Sequence, residues 1–458
     1  MRKERDALGE WSVPADAYYG IHTQRSADNF DVSGERMPME IICGMVKLKW
    51  ACAKANHQLG LLSREKAHAI GEACRRVLAG EFDGQFVVDV FQAGSGTSSN
   101  MNVNEVIANL AAEQLGGQRG DRDVVNPHDD VNRGQSTNNI FPSGAKIAVV
   151  EETAPLLASV RGLERELRGK SEEFAGIRKS GRTHLRDAVP ITLGQEFGAW
   201  AWALVKAVER IETARRKLLK LGAGGNAIGT GINTKKEFRP LLIREISLLT
   251  GETYEGAENP IQITQFMTDF AEMSSALRLL ALDVQKICND LRLLSSGPRT
   301  GLGEIDLPPV EPGSSIMPGK VNPSICEAVN MVCMQVMGYD HAVSLACGAG
   351  QLELNTHMPL IAVSVLKSVK LLSAACRLLA GRCVAGIVAN RETCGRYFET
   401  SAGLATVLNP KLGYARVAEI VAESLATGKT LRQLVLEKKL LSAGDLDELL
   451  ANSTGPTS

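Results

Sequence analysis

The spacing of apolar residues predicts long helices through the middle of the chain. From residue 266 onward, apolar side chains recur at alternating steps of four and three positions: Phe270, Met273, Leu277, Leu280, Val284, Ile287, Leu291 and Leu294. Such a seam is typical of a helix packed in a bundle, and at about 1.5 Å per residue it is roughly 40 Å long. The same spacing predicts further long helices over 145–173, 193–221, 325–343 and 358–387.

Polar, glycine-rich segments separate these helices, at 94–105, 126–139, 180–190 and 311–323. In a bundle, such irregular segments fall at helix ends, where several of them can converge around a small ligand. From about residue 390 the helical pattern becomes shorter and mixed. This change predicts a small helical cap at the C-terminal end.

Charge and hydropathy narrow the class of protein. The 458 residues carry 51 Lys and Arg against 52 Asp and Glu, for a formal net charge of -1. We therefore expect no nucleic-acid or anionic-membrane partner, because no excess positive charge is available to displace counterions. No apolar run approaches the about 20 residues of a membrane-spanning helix, and the charged N-terminal segment lacks the apolar core of a signal peptide.

The cysteines and histidines give no sign of a metal site. The ten cysteines form no CxxC pair and lie mostly in apolar stretches. Buried free thiols of a reducing compartment explain this pattern better than disulfides or zinc, so we expect a cytoplasmic protein. The seven histidines show no HxxxH or HxH spacing, and we expect no metal.

Two glycine-rich segments are candidates for chemistry. The segment 313–323, GSSIMPGKVNP, combines turn residues with two serines, Lys320 and Asn322, so it can offer backbone N–H groups and hydroxyls beside a positive charge. By composition alone, a surface turn is the better interpretation of this segment. The segment 222–231, GAGGNAIGTG, lacks the preceding strand and the downstream acidic residue of a dinucleotide site. It is better interpreted as a tight turn between helices.

The segment GSSIMPGKVNP closely resembles the signature of the aspartase/fumarase superfamily. Further motifs follow in the family's order and spacing over nearly the whole chain: VPADAYYGIHTQRS, GSGTSSNMNVNEVIAN, VNRGQSTNN, GRTHLRDAVPITLGQE, IGTGIN and ICNDLRLLSSGPRTGLGEI. The resemblance implies a mainly α fold, with a small N-terminal domain at 1–135, a central bundle of long helices at 136–389 and a small C-terminal domain at 390–458. It also implies a homotetramer in which each active site draws loops from three subunits.

The implied reaction is a reversible anti-elimination on a small dicarboxylate, which releases fumarate without a cofactor. Removing a proton from the carbon next to a carboxylate places two negative charges on that carboxylate. The intermediate therefore needs strong, preorganised donors around its oxygens. Hydroxyls, amides, a lysine and backbone N–H groups are suited to that task.

The resemblance assigns roles to individual residues. It makes Ser314 the general base and His184 a second catalytic residue. Glu327 is expected to pair with His184 across subunits, and Ser315 lies next to the base. Substrate binding is assigned to Thr97, Ser136, Thr137, Asn138, Thr183, Lys320 and Asn322, with Asn138 at the leaving-group end. For any one of these hydroxyls or amides taken alone, a helix cap or a turn is the better interpretation.

A second anion site, known in part of the family, corresponds to His128, Asp129 and Asp130, with Asn126 in place of a histidine. A helix-capping acidic loop is the better interpretation of these residues.

The motifs also favour one branch of the superfamily. ADAYYGIHT, QSTN, AVPITLGQEF and ICNDLRLLSSGPR resemble the aspartate ammonia-lyase branch, whereas HTQRS, PGKVNP and CEAVNMVCMQVMG are shared or lean toward class II fumarases. We expect elimination of ammonia from L-aspartate, with malate as the alternative substrate. Asn139 replaces the usual Asp, Asn226 the usual Thr, and 357–359 reads HMP, so an N-substituted aspartate stays open. A catalytically silent, crystallin-like homologue is disfavoured because the site residues are retained.

Overall fold

The protein is mainly helical in a computed structural model that describes residues 1–455. Its helices are α1 Ile21–Asn29, α2 Met39–Gln58, α3 Arg64–Leu78, α4 Thr97–Gln114, α5 Thr137–Glu173, α6 Leu193–Leu218, α7 Phe238–Thr250, α8 Pro260–Gln265, α9 Thr268–Leu294, α10 Ser324–Gly348, α11 Met358–Arg382, α12 Arg391–Thr400, α13 Ala405–Leu412, α14 Tyr414–Thr427, α15 Leu431–Glu437 and α16 Ala443–Ala451. Shorter helical turns are Asp83–Gln85, Gly94–Gly96, Pro127–Val131, Val384–Gly386 and Ala402–Leu404.

The strands form four separate two-stranded ladders. Three are antiparallel: β1 Arg2–Asp6 with β2 Gly9–Val13, β3 Arg178–Thr183 with β4 Arg186–Thr192, and β7 Ile305–Asp306 with β8 Val388–Ala389. The fourth pairs β5 Lys220–Leu221 with β6 Glu255–Gly256 in parallel. None of these ladders is wide enough to form a core, so the mainly α fold class is confirmed.

The long helices agree with the apolar spacing, with differences at their ends. The seam residues from Phe270 to Leu294 are all buried along α9. Helix α5 begins at Thr137 rather than at residue 145, although it contains Pro142. A proline removes one helical hydrogen bond, but Ile140 and Phe141 beside it are fully buried. Their packing outweighs that local cost.

The chain divides into two compact units, each assembled from three segments. Unit 1 comprises Met1–Leu157, Glu209–Leu279 and Gln335–Leu372; unit 2 comprises Ala158–Val208, Leu280–Met334 and the chain from Ser373 onward. Within unit 2 the C-terminal helices form their own apolar cluster, from Phe398 to Leu450, as expected for a small helical cap. The three-domain division with boundaries at 135 and 389 stays a prediction.

One stretch of the described residues, Met358–Gly386, is long and apolar enough to cross a membrane. Inspection of the sequence missed it. Within this protein 72% of its apolar window is buried, as in the core helix of a soluble protein. All ten cysteines are free thiols, and eight of them are buried.

Candidate active site

The first half of the predicted site lies in unit 1, at the beginnings of α4 and α5. Helix α4 begins at Thr97 and α5 at Thr137. Asn100, one turn after Thr97, donates from Nδ2 to Thr137 Oγ1 at 2.9 Å, so the first turns of the two helices lie against each other. We call the side chains of Thr97, Ser136 and Thr137 the hydroxyl cradle. Helix N-termini attract anions, so the cradle is suited to a carboxylate.

A sharp backbone turn sets the start of α4. Ser95 has φ 64° and Gly96 has φ 85°, a left-handed conformation that glycine adopts without strain. A Cβ at Gly96 would lie 2.2 Å from the ring of Phe141. This close approach places Thr97 next to the buried start of α5.

Replacing Gly96 with alanine is expected to lower the free energy of unfolding by about 3 kcal/mol, from left-handed backbone strain together with overpacking. Urea unfolding of the intact protein measures this loss. Gly60→Ala is the matched control, because Gly60 has φ 70° but the space around its Cβ position is open in the described part of the chain. Equal losses in the two variants would show that the contact with Phe141 is unimportant.

A network of hydrogen-bonded asparagine side chains contacts the hydroxyl cradle through Thr137. Asn132 Oδ1 accepts from Asn104 Nδ2 at 3.2 Å and from Asn100 Nδ2 at 3.4 Å. It also accepts from Lys49 Nζ at 2.8 Å. The sequence analysis missed these residues. Two features of the sequence could have indicated them. Lys49 lies at an apolar-face position of α2, and α4, which is buried on all sides, carries Asn100, Asn102 and Asn104.

The predicted leaving-group residue contacts the glycine-rich turn. Asn138 Nδ2 donates to the carbonyl of Ala227 at 2.8 Å. A cavity of about 440 Å³ opens here, lined by Ser136, Asn226 and Arg133 among others. The turn therefore forms one wall of a ligand-sized space in unit 1.

The candidate second anion site has the contacts of a capped turn. Asn126 Oδ1 accepts from the backbone N–H groups of His128 and Asp129, at 2.8 and 3.1 Å. Asp130 accepts from the N–H of Asn126 and pairs with Lys66 at 2.6 Å. These contacts use Asn126 and Asp130 internally, and they favour the capping interpretation.

The second half of the predicted site lies in unit 2, beginning at the tip of the β3–β4 hairpin. Thr183 pairs with Arg186, which leaves His184 and Leu185 as a two-residue turn. Both turn residues are left-handed, with φ 54° and 57°, the conformation that such hairpins normally give to Asn and Gly. Thr183 and His184 are exposed at this tip.

Buried charges anchor the hairpin. Lys179 and Glu304, both fully buried, lie 2.5 Å apart, and Arg182 lies 2.9 Å from the same carboxylate. Burial alone would lower the pKa of Arg182, but the Glu304 carboxylate raises it. Burial raises the pKa of Glu196, against the effect of Lys179 at 2.7 Å.

The signature loop is closed by its own backbone. The N–H of Gly313 donates to the carbonyl of Lys320 at 2.8 Å, and Asn322 Nδ2 donates to the carbonyl of Gly313 at 2.7 Å. Ser314 Oγ accepts the N–H groups of Ile316 and Met317, at 3.2 and 3.0 Å. Two donors on one hydroxyl oxygen favour its ionised form. The loop thus brings Ser314, Lys320 and Asn322 together, with Ser315 exposed beside them.

Glu327 lies on the first turn of α10, where it is 3.8 Å from Arg292. No ion pair of Lys320 is present among residues 1–455. The expected pairing of Glu327 with His184 across subunits stays a prediction. The roles of the other predicted site residues also stay predictions. The hydroxyl cradle lies in unit 1, whereas Ser314, Lys320 and His184 lie in unit 2.

The departures from the family pattern have defined environments. Asn139 is buried and donates to Thr264 Oγ1 at 2.8 Å, while its own Oδ1 has no partner within residues 1–455. Asn226 adopts φ 55°, which asparagine tolerates, and in the same range its Oδ1 is unpartnered as well. The N–H of His357 donates to Asn355 Oδ1 at 2.8 Å, just before α11. The replacements at 139 and 226 thus place two buried amide carbonyl oxygens near the site, one next to Asn138 and one in the wall of the 440 Å³ cavity.

A mainly helical protein with this signature loop and hydroxyl cradle has the architecture of a lyase. A family model described as lyase matches residues 9–338, and a model described as fumarase C C-terminus matches residues 404–453. The chain therefore belongs to the aspartase/fumarase superfamily.

Named relatives extend over the whole chain. Aspartate ammonia-lyase of Pseudomonas aeruginosa is 46% identical over 98% of this chain and 95% of the relative, and that of Escherichia coli K12 is 45% identical with the same coverage. Among solved structures, fumarate lyase:delta crystallin from Brucella melitensis is 45% identical with a TM-score of 0.97, covering 99% of this chain and all of that one. Class II fumarase from Schistosoma mansoni is 38% identical with a TM-score of 0.96 over the full length of both.

Proposed function

We propose that this protein catalyses the reversible elimination of ammonia from L-aspartate to give fumarate. The observation that carries the proposal is the identity of 44–46% with aspartate ammonia-lyases over 98% of the chain. The contacts of the signature loop and the hydroxyl cradle are consistent with this carbon–nitrogen lyase chemistry. No organic cofactor is required, because the dicarboxylate itself stabilises the carbanion.

In the proposed mechanism, Ser314 Oγ takes a proton from the carbon next to one carboxylate. The N–H groups of Ile316 and Met317 support the serine alkoxide that this step requires. Lys320 and Asn322 hold one substrate carboxylate, and the hydroxyl cradle holds the other. The carbon–nitrogen bond then breaks and the amine departs.

The departing amine is assigned to the part of the site formed by Asn138, Thr183 and His184. His184 and Thr183 are exposed on the hairpin tip, where they can reach a neighbouring subunit. His184 would transfer a proton there and pair with Glu327 of another subunit.

Such an assignment requires an assembly, and we propose a homotetramer with shared active sites. Unit 2 exposes large apolar side chains on its long helices: Met331 and Met334 lie one turn apart on α10, and Trp202 lies on α6. Exposed apolar surface on long helices is typical of a subunit interface. The buried free thiols support a cytoplasmic location.

Two other substrates remain as alternatives. The likeness to a class II fumarase favours malate. The carbonyl oxygens of Asn139 and Asn226, which have no partner among residues 1–455, favour an N-substituted aspartate whose substituent itself carries an N–H or O–H donor.

Incubation with L-aspartate, and separately with L-malate, decides between the first two substrates. We expect fumarate absorbance to rise with L-aspartate and to stay flat with L-malate. Turnover of malate without turnover of aspartate would overturn the ammonia-lyase assignment. Addition of amines to fumarate, followed by mass spectrometry, identifies an N-substituted substrate. No turnover of L-aspartate, of L-malate or of fumarate with any amine would favour a silent homologue.

A further inference from the structure

Lys49 lies on α2 and is fully buried. Its Nζ donates to Asn132 Oδ1 at 2.8 Å, and within the described part of the chain no Asp or Glu oxygen lies within ion-pair distance of it. Two other lysines are buried to a similar degree, and both are paired: Lys146 with Asp269 and Lys179 with Glu304. A buried cation without a counter-ion carries a large desolvation cost, so its retention calls for a reason.

Among the residues that the structure describes, none next to Lys49 carries a negative charge that could balance it. The titratable groups facing it are the thiols of Cys52, on the same helix, and Cys74, on α3; burial raises the pKa of both, so both stay neutral. On the other elements packed against α2, the two carboxylates already have partners: Asp130 pairs with Lys66, and Glu245 pairs with Lys54. Burial lowers the pKa of Lys49 to about 7.

A short hydrogen-bonded path links Lys49 to the hydroxyl cradle. The amide oxygen of Asn132 accepts from Lys49 Nζ and also lies 3.4 Å from Asn100 Nδ2. The same Asn100 amide donates to Thr137 Oγ1. Because Asn100 donates to that oxygen, the Thr137 hydrogen is left to donate to another acceptor. A hydroxyl that can donate and that is linked to a positive charge is suited to an anion.

We propose that Lys49 is a positioning residue that supplies the counter-charge for the carboxylate bound by the hydroxyl cradle, acting through Asn132 and Asn100. The inference rests on the proposed function, because it requires a dicarboxylate in the cradle. A bound carboxylate provides the negative charge that the empty protein lacks. Binding therefore favours protonated Lys49, and a proton is taken up with the ligand when the empty protein holds Lys49 neutral.

The pH dependence of stability has a defined sign. A lysine in the unfolded chain keeps a pKa of about 10.4, so between about pH 7 and pH 10.4 the unfolded state binds more protons than the folded state. The stability of the empty protein therefore rises with pH across this window as far as Lys49 is concerned. Replacing Lys49 with an uncharged residue of similar length removes this dependence.

The test uses Lys49→Met and succinate, an unreactive dicarboxylate, with calorimetry of the intact protein at about pH 6.5 and pH 8.5. For wild type we expect uptake of about one proton on binding at the higher pH, measured in buffers of different ionisation enthalpy. Lys49→Met should bind succinate about ten-fold more weakly at the lower pH and lose the uptake. Its melting temperature without ligand should equal or exceed that of wild type, most clearly at low pH.

Lys47→Met is the matched control. Lys47 lies two residues before Lys49 on the same helix, but it is only partly buried and pairs with Glu151. It should bind succinate like wild type at both pH values. A merely structural Lys49 would give the opposite pattern, a lower melting temperature with unchanged succinate binding and proton uptake, and that result overturns the inference.

The wild-type protein alone also provides a test, whether or not Lys49→Met folds. Absence of proton uptake with succinate at pH 8.5, together with a succinate affinity that is the same at pH 6.5 and in Lys49→Met, contradicts a counter-charge role for Lys49. Failure of the proposed function is distinguishable, because a wild type that neither binds succinate nor releases fumarate from L-aspartate would remove both proposals together.

Discussion

Ser314→Ala is expected to lower kcat for fumarate release from L-aspartate by about 10³-fold, the contribution of a positioned general base. In the native loop, Ser314 Oγ accepts two backbone N–H groups, an arrangement that stabilises negative charge on that oxygen. Alanine removes the proton acceptor and leaves those donors in place. Ile316 and Met317 are exposed, so water can satisfy their N–H groups and the loop should keep its fold.

The matched variant is Ser315→Ala, which removes a neighbouring exposed hydroxyl and should keep kcat within a few-fold of wild type. Circular dichroism and light scattering establish that both variants keep the wild-type fold and oligomeric state. Near-normal kcat in Ser314→Ala would place the base elsewhere. An equal loss in both variants would indicate that the loop, rather than the oxygen of Ser314, is being disturbed.

Glu304→Gln is expected to lower the free energy of unfolding by about 3 kcal/mol, because it removes the negative charge that faces two cations in a buried site. Lys179 has no exposed surface and would keep only Glu196 as a partner. Arg182 would lose the carboxylate at 2.9 Å. Since these residues anchor the hairpin that carries Thr183 and His184, activity should fall as well.

Urea unfolding at fixed protein concentration measures the effect, because an assembly makes apparent stability depend on concentration. Glu258→Gln is the control: Glu258 pairs with Lys220 on the surface, where ion pairs contribute little, so its midpoint should match wild type. Equal midpoints for Glu304→Gln and Glu258→Gln would mean that solvent or neighbouring groups already compensate the buried cluster.

The helices were predictable where a single periodic pattern decided burial. The seam from Phe270 to Leu294 is apolar at every inward position, and all of it is buried in α9. The start of α5 was not predictable, because Pro142 and the polar residues before it are typical of a loop. Their helical conformation depends on the packing of Ile140 and Phe141, which local sequence does not encode.

The candidate site could be predicted only in part from the sequence. The signature loop was accessible because Ser314, Lys320 and Asn322 lie within one short motif. The support of the hydroxyl cradle was not, because Asn100 and Asn132 are brought to Thr137 by tertiary packing. Lys49 was overlooked for a related reason: a lysine is normally exposed, and only its position on the apolar face of α2 distinguishes it from Lys47.

The hairpin tip limits how this protein can be made more heat-resistant. His184 and Leu185 hold a backbone conformation that Asn and Gly adopt at lower cost. A selection for thermal stability alone would therefore favour Asn-Gly at these two positions, and it would discard the imidazole in the process. If His184 acts as proposed, selection for stability alone should replace His184 and Leu185 and lose activity. A combined selection for stability and turnover should keep His184 and Leu185 and place its stabilising substitutions elsewhere.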